Sequence, residues 1–438
     1  MASETSTKRP ASDMVTGSSS LVPDDATALG PSAASSSPSQ PPQEDWRAWM
    51  QVLGAFCINL NTWGMMNSYG VFQTYYQLHL LHGHSASNIA WIGSTQAFLL
   101  FVVSVAVGAL FDAGFAHTLL WGGGIMVVAG VMLLSVASLY WHVFLSQAIM
   151  VGLGFGLLYL VAPAIVSQYF GRRTALAMGA SSAGSAIGGA VFPIAFSRLV
   201  ERLDFGWACR ILGFILLVTS AIPGLLMRSK EPPQRDRKLF DATALRDVPY
   251  LLLNAGLTFG FMGLYIVFYY IELLARDRAH VSDSLARYLL VIINLSSLPG
   301  RIIPGYYADK VGSINVQTAV ALLSAMLTIF LCAIRSAAGL VVFCAIYGFF
   351  SGAFMGLPAA GIVRLSDDKS KIGIRIGMTL GTVGFGVLIS NPIAGAIVYP
   401  GKDWVGLISW CGALLFASGF CLVASRVSKV GWGLKTVI

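Results

Sequence analysis

From Trp46 onward the chain alternates long apolar runs with brief polar punctuation. A helix needs about 20 apolar residues to cross the hydrocarbon core of a bilayer. Twelve such runs are legible, near 49–72, 89–111, 118–139, 143–168, 175–199, 207–227, 249–271, 285–306, 316–334, 339–363, 375–398 and 404–425. The connections between them are short, which leaves no place for a large extramembrane domain. The pattern predicts an all-α polytopic membrane protein. Residues 1–45 are different: Ser18-Ser19-Ser20, Ser35-Ser36-Ser37-Pro38 and Pro41-Pro42 predict a disordered tail with no signal peptide.

The two halves of the chain repeat. Gly108-x-x-x-Asp112 closes the second run and Gly305-x-x-x-Asp309 the eighth, 197 residues later. Pro163 and Pro358 are offset by 195, and Pro193 and Pro392 by 199. Near-equal offsets predict twelve transmembrane helices in two pseudo-symmetric six-helix bundles, 46–228 and 249–426. The linker is 229–248 and the carboxy-terminal tail 427–438. Such halves expose a central site alternately to either side, which describes a transporter better than a receptor or an enzyme.

Composition narrows the reading. Of 438 residues only 11% are charged and 56% are hydrophobic, too apolar a surface for water. Placing both termini in the cytosol puts 19 Lys and Arg inside, eight outside and Arg301 in the membrane, in keeping with the positive-inside rule. The net charge of +8 therefore reads as topology, with no basic stripe for nucleic acid. His79, His82 and His84 share one outer loop without a Cys or acid beside them, and are read as solvated; no metal, cofactor or obligatory protein partner is expected. An integral membrane enzyme acting on a lipophilic substrate is the rival, but the acid cluster or nucleophile–base pair it needs is not apparent.

Arg301 is the one charge near the middle of a run. It costs about 2.5–3.5 kcal/mol even on a lenient insertion scale, so it is expected to face the interior and bind something negative. Asn294 and Ser297 lie seven and four residues earlier on the same helical face. Further candidates for a solute site are Trp63 and Asn67 in the first run, Tyr159 in the fourth, and Tyr265 and Tyr269 in the seventh. Asp112 and Asp309, each following its Gly108 or Gly305, are candidate conformational latches, because a carboxylate suits the positive amino end of a neighbouring helix. Small residues at Ser181, Gly184, Ser185 and Gly188, and at Gly373, Gly377 and Gly381, permit close helix contact, either sliding or static.

These elements resemble the major facilitator superfamily through the repeat and through Gly108-Ala-Leu110-Phe-Asp112 and Gly305-Tyr-Tyr-Ala-Asp309-Lys310-Val-Gly312. A narrower resemblance is to the monocarboxylate transporter family, especially its fungal branch. Glu44-Asp45-Trp46-Arg47-Ala48-Trp49 with Gly54-Ala55-Phe56, and Tyr169-Phe170-Gly171-Arg172-Arg173-Thr174 with Ala183-Gly184-Ser185, carry it. The resemblance implies a secondary transporter of the plasma membrane, importing or exporting monocarboxylates, vitamin-like compounds or secondary metabolites. Proton-coupled members carry an Asp four residues before the Arg and a Lys in the first helix; this chain has Ser297 and Asn67 there. The departure points to a larger, more neutral solute without proton coupling at that site.

Overall fold

In the computed structural model the described residues are 45–170, 173–230, 241–366, 371–399 and 401–431, and among them the chain is helical with no strand. Residues 1–44 of the expected tail, half of the linker (231–240), Arg172 and the last seven residues lie outside this set. Eleven helices are long and apolar enough to cross a membrane. They are α2 (Ala86–Asp112), α3 (Ala116–Leu134), α4 (Tyr140–Tyr169), α5 (Thr174–Arg202), α6 (Phe205–Leu226), α7 (Val248–Ala279), α8 (Asp283–Val311), α9 (Ser313–Phe330), α10 (Ala337–Leu365), α11 (Ile372–Val398) and α12 (Trp404–Val430). Ahead of them residues 46–80, here α1, trace an interrupted helical path. It runs as Trp46–Asn59, a π-helical turn at Leu60–Gly64, Met65–Asn67, Tyr69–Tyr75 and a second π turn at Tyr76–Leu80.

The sequence punctuates these helices by capping. Ser85 accepts from the Asn88 amide, Asp204 from Trp207, Asp247 from Tyr250, Ser336 from Gly339 and Asp403 from Gly406, at 2.6–3.3 Å. Each cap satisfies an amide that the first turn leaves without a partner, a contribution of about 1 kcal/mol. Gly312, with φ 105°, ends α8 in a conformation that an L side chain rarely adopts. Large apolar side chains point outward along the helices, Leu225 at 65%, Trp141 at 66% and Phe420 at 67% exposure, as lipid-facing surfaces require.

Helices of the first six pack on one another, as do those of the last six, and the most extensive contacts between the two sets are α2 on α11, α5 on α8, and the later part of α1 on α7. The small residues of α5 explain one of the internal contacts. A Cβ on Gly184 would run into the carbonyl of Phe56, and one on Gly188 into Leu60 and Gly64, so this face beds α5 tightly against α1. The spacing is thus used for close packing in this structure. On α11 a Cβ added at Gly377 would lie 3.5 Å from Val105 of α2 and one at Gly384 3.1 Å from Phe101, while one at Gly381 would meet nothing within 4 Å.

Candidate solute site between the two sets of helices

Arg301 sits on α8 between Pro299 and Pro304 and reaches across to α5. Its Nη1 donates to the Ser185 hydroxyl at 2.5 Å and to the Ser182 carbonyl at 3.5 Å, and Nη2 lies 3.6 Å from the Met355 sulfur of α10. Its Nε is buried without a partner among the described residues. Among the described residues no carboxylate pairs with this cation, and the Tyr159 and Tyr265 hydroxyls are the titratable groups close enough to feel its charge. The α5 serines were legible only as small packing residues, because nothing in their spacing marks them as ligands of a residue 116 positions away.

An aromatic wall adjoins the guanidinium. Trp63 meets Tyr159 edge-on at 5.4 Å and Phe101 at 5.7 Å. Phe101 continues to Phe261 at 6.1 Å, and Phe261 to Tyr265 at 6.3 Å and Phe354 at 5.5 Å. Rings from α1, α2 and α4 thus meet rings from α7 and α10. Tyr265 is fully buried, and its hydroxyl has no recorded partner. A buried hydroxyl without a partner costs about 1–3 kcal/mol, which a bound acceptor or donor offsets.

The other sequence candidates separate into three groups. Asn294 aligns with Arg301 against α5, its Oδ1 resting on Gly189 without a donor, while its Nδ2 donates to the Leu290 carbonyl at 2.9 Å. Ser297 donates to the Asn294 carbonyl at 2.6 Å and is committed to its own helix. Asn67 is 1% exposed with neither amide atom partnered, just before the turn at Ser68. Tyr269 lies elsewhere: its ring packs on Tyr69 at 4.8 Å where α1 meets α7.

The two latch motifs differ. A Cβ on Gly108 would lie 3.2 Å from Leu160 on α4, whereas one on Gly305 would meet nothing within 4 Å among the described residues. Asp112 ends α2; the side chain of Asp309 lies outside the described set. His79 packs on Tyr75 and His84 on Tyr140, and His82 sits 3.0 Å from the His79 carbonyl.

A second polar cluster went unread in the sequence. At the start of α11, buried Arg375 pairs with Asp247 at 2.7 Å and Asp241 at 3.4 Å, and stacks over the Tyr250 ring at 5.2 Å. The acids flank a short 3-10 turn, Ala242–Arg246, which is thereby tied to α11. The Thr243 hydroxyl, donating at 2.6 Å, holds the Asp241 carboxyl below its usual range, aided by the Thr243 amide, Lys371 and Arg375 and opposed by burial. Arg375 passed as a loop charge because it stands at the edge of its apolar run. The signal available was the spacing of Asp241 and Asp247 around Arg246 at the end of the linker, just before an apolar run.

Long apolar helices and, among the described residues, a buried cation set among rings accord with a membrane carrier. Residues 52–369 match the model of the Major Facilitator Superfamily, and the chain belongs to that superfamily. It is a secondary transporter, an integral membrane protein. It is similar to the MFS-type transporter dbaD of Emericella nidulans, 39% identical over 377 residues, covering 86% of this chain and 85% of that one. The Aspyridones efflux protein apdF of the same organism is 36% identical over 390 residues, 88% and 79% of the two chains. The Fujikurins efflux protein of Gibberella fujikuroi is 34% identical over 391 residues, 88% and 83%.

Proposed function

We propose that the protein exports a small, largely apolar, ring-containing organic solute, a secondary metabolite, from a fungal cell by alternating access. In this reading twelve spans form two six-helix bundles, α1–α6 and α7–α12, in the plasma membrane with both termini in the cytosol. The chain stands in the monocarboxylate-like branch on the strength of its first- and fifth-helix motifs. The observation that carries the solute class is Arg301 set among Tyr159, Tyr265 and an aromatic wall, without a carboxylate recorded beside it. One cation with free hydrogen-bonding capacity selects one acidic or strongly accepting oxygen, and the rings select a flat apolar body. Asn294 and Asn67 add neutral polar contacts, and Asp112 and Asp309 serve as latches on the cytosolic side. The efflux names of relatives of comparable length support the outward direction.

Untargeted metabolite profiling of cells and medium, with and without the protein, tests solute and direction together. A solute of this class moving from cells to medium is the expected result; accumulation inside reverses the direction assigned. Flux in proteoliposomes with wild-type protein and no flux with Arg301→Gln ties the transport to the site.

A further inference from the structure

The π turn of α1 at Leu60–Gly64 is held from two sides. Asn61, its second residue, is fully buried, and both ends of its amide are taken by α6: Nδ2 donates to the Ser220 hydroxyl at 2.9 Å and Oδ1 accepts from the Thr219 hydroxyl at 2.7 Å. Whichever way the amide is turned, the same two hydroxyls serve it, because each can donate or accept. Gly64, the last residue of the turn, rests on α5, where a Cβ would come 2.7 Å from the Gly188 Cα. Asn61 and Gly64 together fix the rotation of α1 about its own axis at this level. Leu, Val and Ala side chains would fill the α1–α6 contact without polar groups to satisfy, so shape alone does not call for Asn61. What its hydrogen bonds add is direction.

Trp63 lies between these two footings and points the other way. Two residues on from Asn61, it stands on the opposite side of the helix. There its ring meets Tyr159 of α4 and Phe101 of α2 edge-on, and its indole N–H stands beside the Tyr159 hydroxyl, which in turn feels the charge of Arg301. The aim of the indole depends on where α1 stores its surplus residue. A π turn carries one residue more than α-helical pitch needs. The next irregular point that could take it is the turn at Ser68. Storing it there would return the intervening residues to ordinary pitch and rotate Trp63 by up to about 100° away from Tyr159.

We propose that Asn61 is a positioning residue, which holds the π turn in register and so aims Trp63 at the solute site, making it a determinant of which ring systems the site accepts. Asn61 does not touch the solute, because both ends of its amide are committed to α6. The inference rests on the transporter reading and deepens it. Ring selection is set by the α1–α6 contact behind the aromatic wall as well as by the wall itself.

The test is fluorine NMR of the full chain, labelled with 5-fluorotryptophan, in phosphatidylcholine nanodiscs with no solute added. Loss of one line in Trp63→Phe assigns Trp63, and Tyr159→Leu shows which way that line moves when its neighbouring ring is withdrawn. Asn61→Leu should move the Trp63 line in that direction, or split it between two positions, and leave those of Trp404 and Trp410 on α12 in place. Thr219→Val with Ser220→Ala should do the same from the α6 side. Combining all three substitutions leaves no polar group of the contact without a partner, so the melting temperature should return toward the parent's while the Trp63 line stays displaced. That split separates register from stability. In metabolite profiling of cells and medium, the medium-to-cell ratio of ring-containing metabolites should fall about two- to twelvefold in the triple variant, the worth of one aromatic contact. A Trp63 line unmoved in Asn61→Leu and in the α6 pair, or one that returns with the melting temperature in the triple variant, overturns the proposal. So does a displaced line with the parent's medium-to-cell ratio. If Asn61→Leu does not fold, the triple variant decides. Failure of the transporter reading looks different: the parent chain itself exports nothing, while the Trp63 line still decides the register.

Discussion

The contacts between the first and last six helices are unlike at their two ends. Toward the face bearing the turns at 81–85, 203–204 and 280–282, here the far face, they are closed by close approach and polar bridges: a Cβ at Gly70 would enter the Phe268 carbonyl, Ser87 on α2 donates to the Pro392 carbonyl on α11 at 2.8 Å, and Arg287 bridges to Glu201. Toward the face bearing the chain ends, Gly179 on α5, Gly305 on α8 and Gly381 on α11 each look onto open space. The same kind of residue has opposite uses. A glycine in the sealed region marks an approach already made, whereas one in the open region marks room for an approach to come. Among the described residues, the closest approaches between the two sets of helices thus gather toward the far face.

Substitutions at matched glycines should break that contrast. Gly70→Val forces α1 off α7, and overpacking of this kind costs about 1–3 kcal/mol, roughly a 5- to 150-fold shift toward a parted far face. Spin labels on the far-face turns measure it, and solute flux should fall with it. An unchanged distance would show that the seal does not depend on this approach.

Arg301→Gln acts between the two regions. A hydrogen bond to a charged group contributes about 1.5–3 kcal/mol, so recognition of a solute bearing an acidic oxygen should weaken about 10- to 150-fold, and a neutral analogue far less. Competitive binding with the two kinds of solute checks it; equal losses would assign Arg301 to packing between α8 and α5.

Arg375→Gln leaves Asp241 and Asp247 sharing no buried cation and should lower the melting temperature in detergent by a few degrees, with flux per folded molecule retained. Acid has the same sign. Because the Asp241 carboxyl is held low in the fold, its contribution is present above the ordinary carboxylate range and is lost as pH falls through the depressed value. A melting curve indifferent to acid in the wild type would remove the cluster from the stability of this face. Smallest of all should be Gly305→Val. With open space around it, this change leaves the observed state within about 0.5 kcal/mol. It should slow only the step that brings the α8 end inward, seen as reduced turnover with unchanged solute affinity.

Much of this was legible in sequence and some could not be. The apolar runs give the helices because lipid leaves backbone groups no other partners, and eleven stand where the runs predicted them. Arg301 was findable because an ionic side chain amid Leu, Val and Ile is costly unless used. Its partners were not: Ser182 and Ser185 meet it only through tertiary packing, and Phe101, Phe261 and Phe354 are indistinguishable in sequence from rings that face lipid. Tyr269 and Tyr265 share a periodicity, yet one packs in the far seal and the other near the cation, because α7 runs through both regions.

The π turn at Leu60–Gly64 bears on how the chain tolerates changes of length. Such a turn is an α-helix that has taken in one surplus residue, absorbed as a bulge. Before it, Phe56 beds on α5; beyond it, Gly70 abuts α7. Removing a single residue from this stretch would restore ordinary pitch and leave both flanks facing their present neighbours. The same deletion three turns earlier would rotate everything downstream by about 100°. Length variation between relatives, if this helix varies at all, should therefore gather at the bulge.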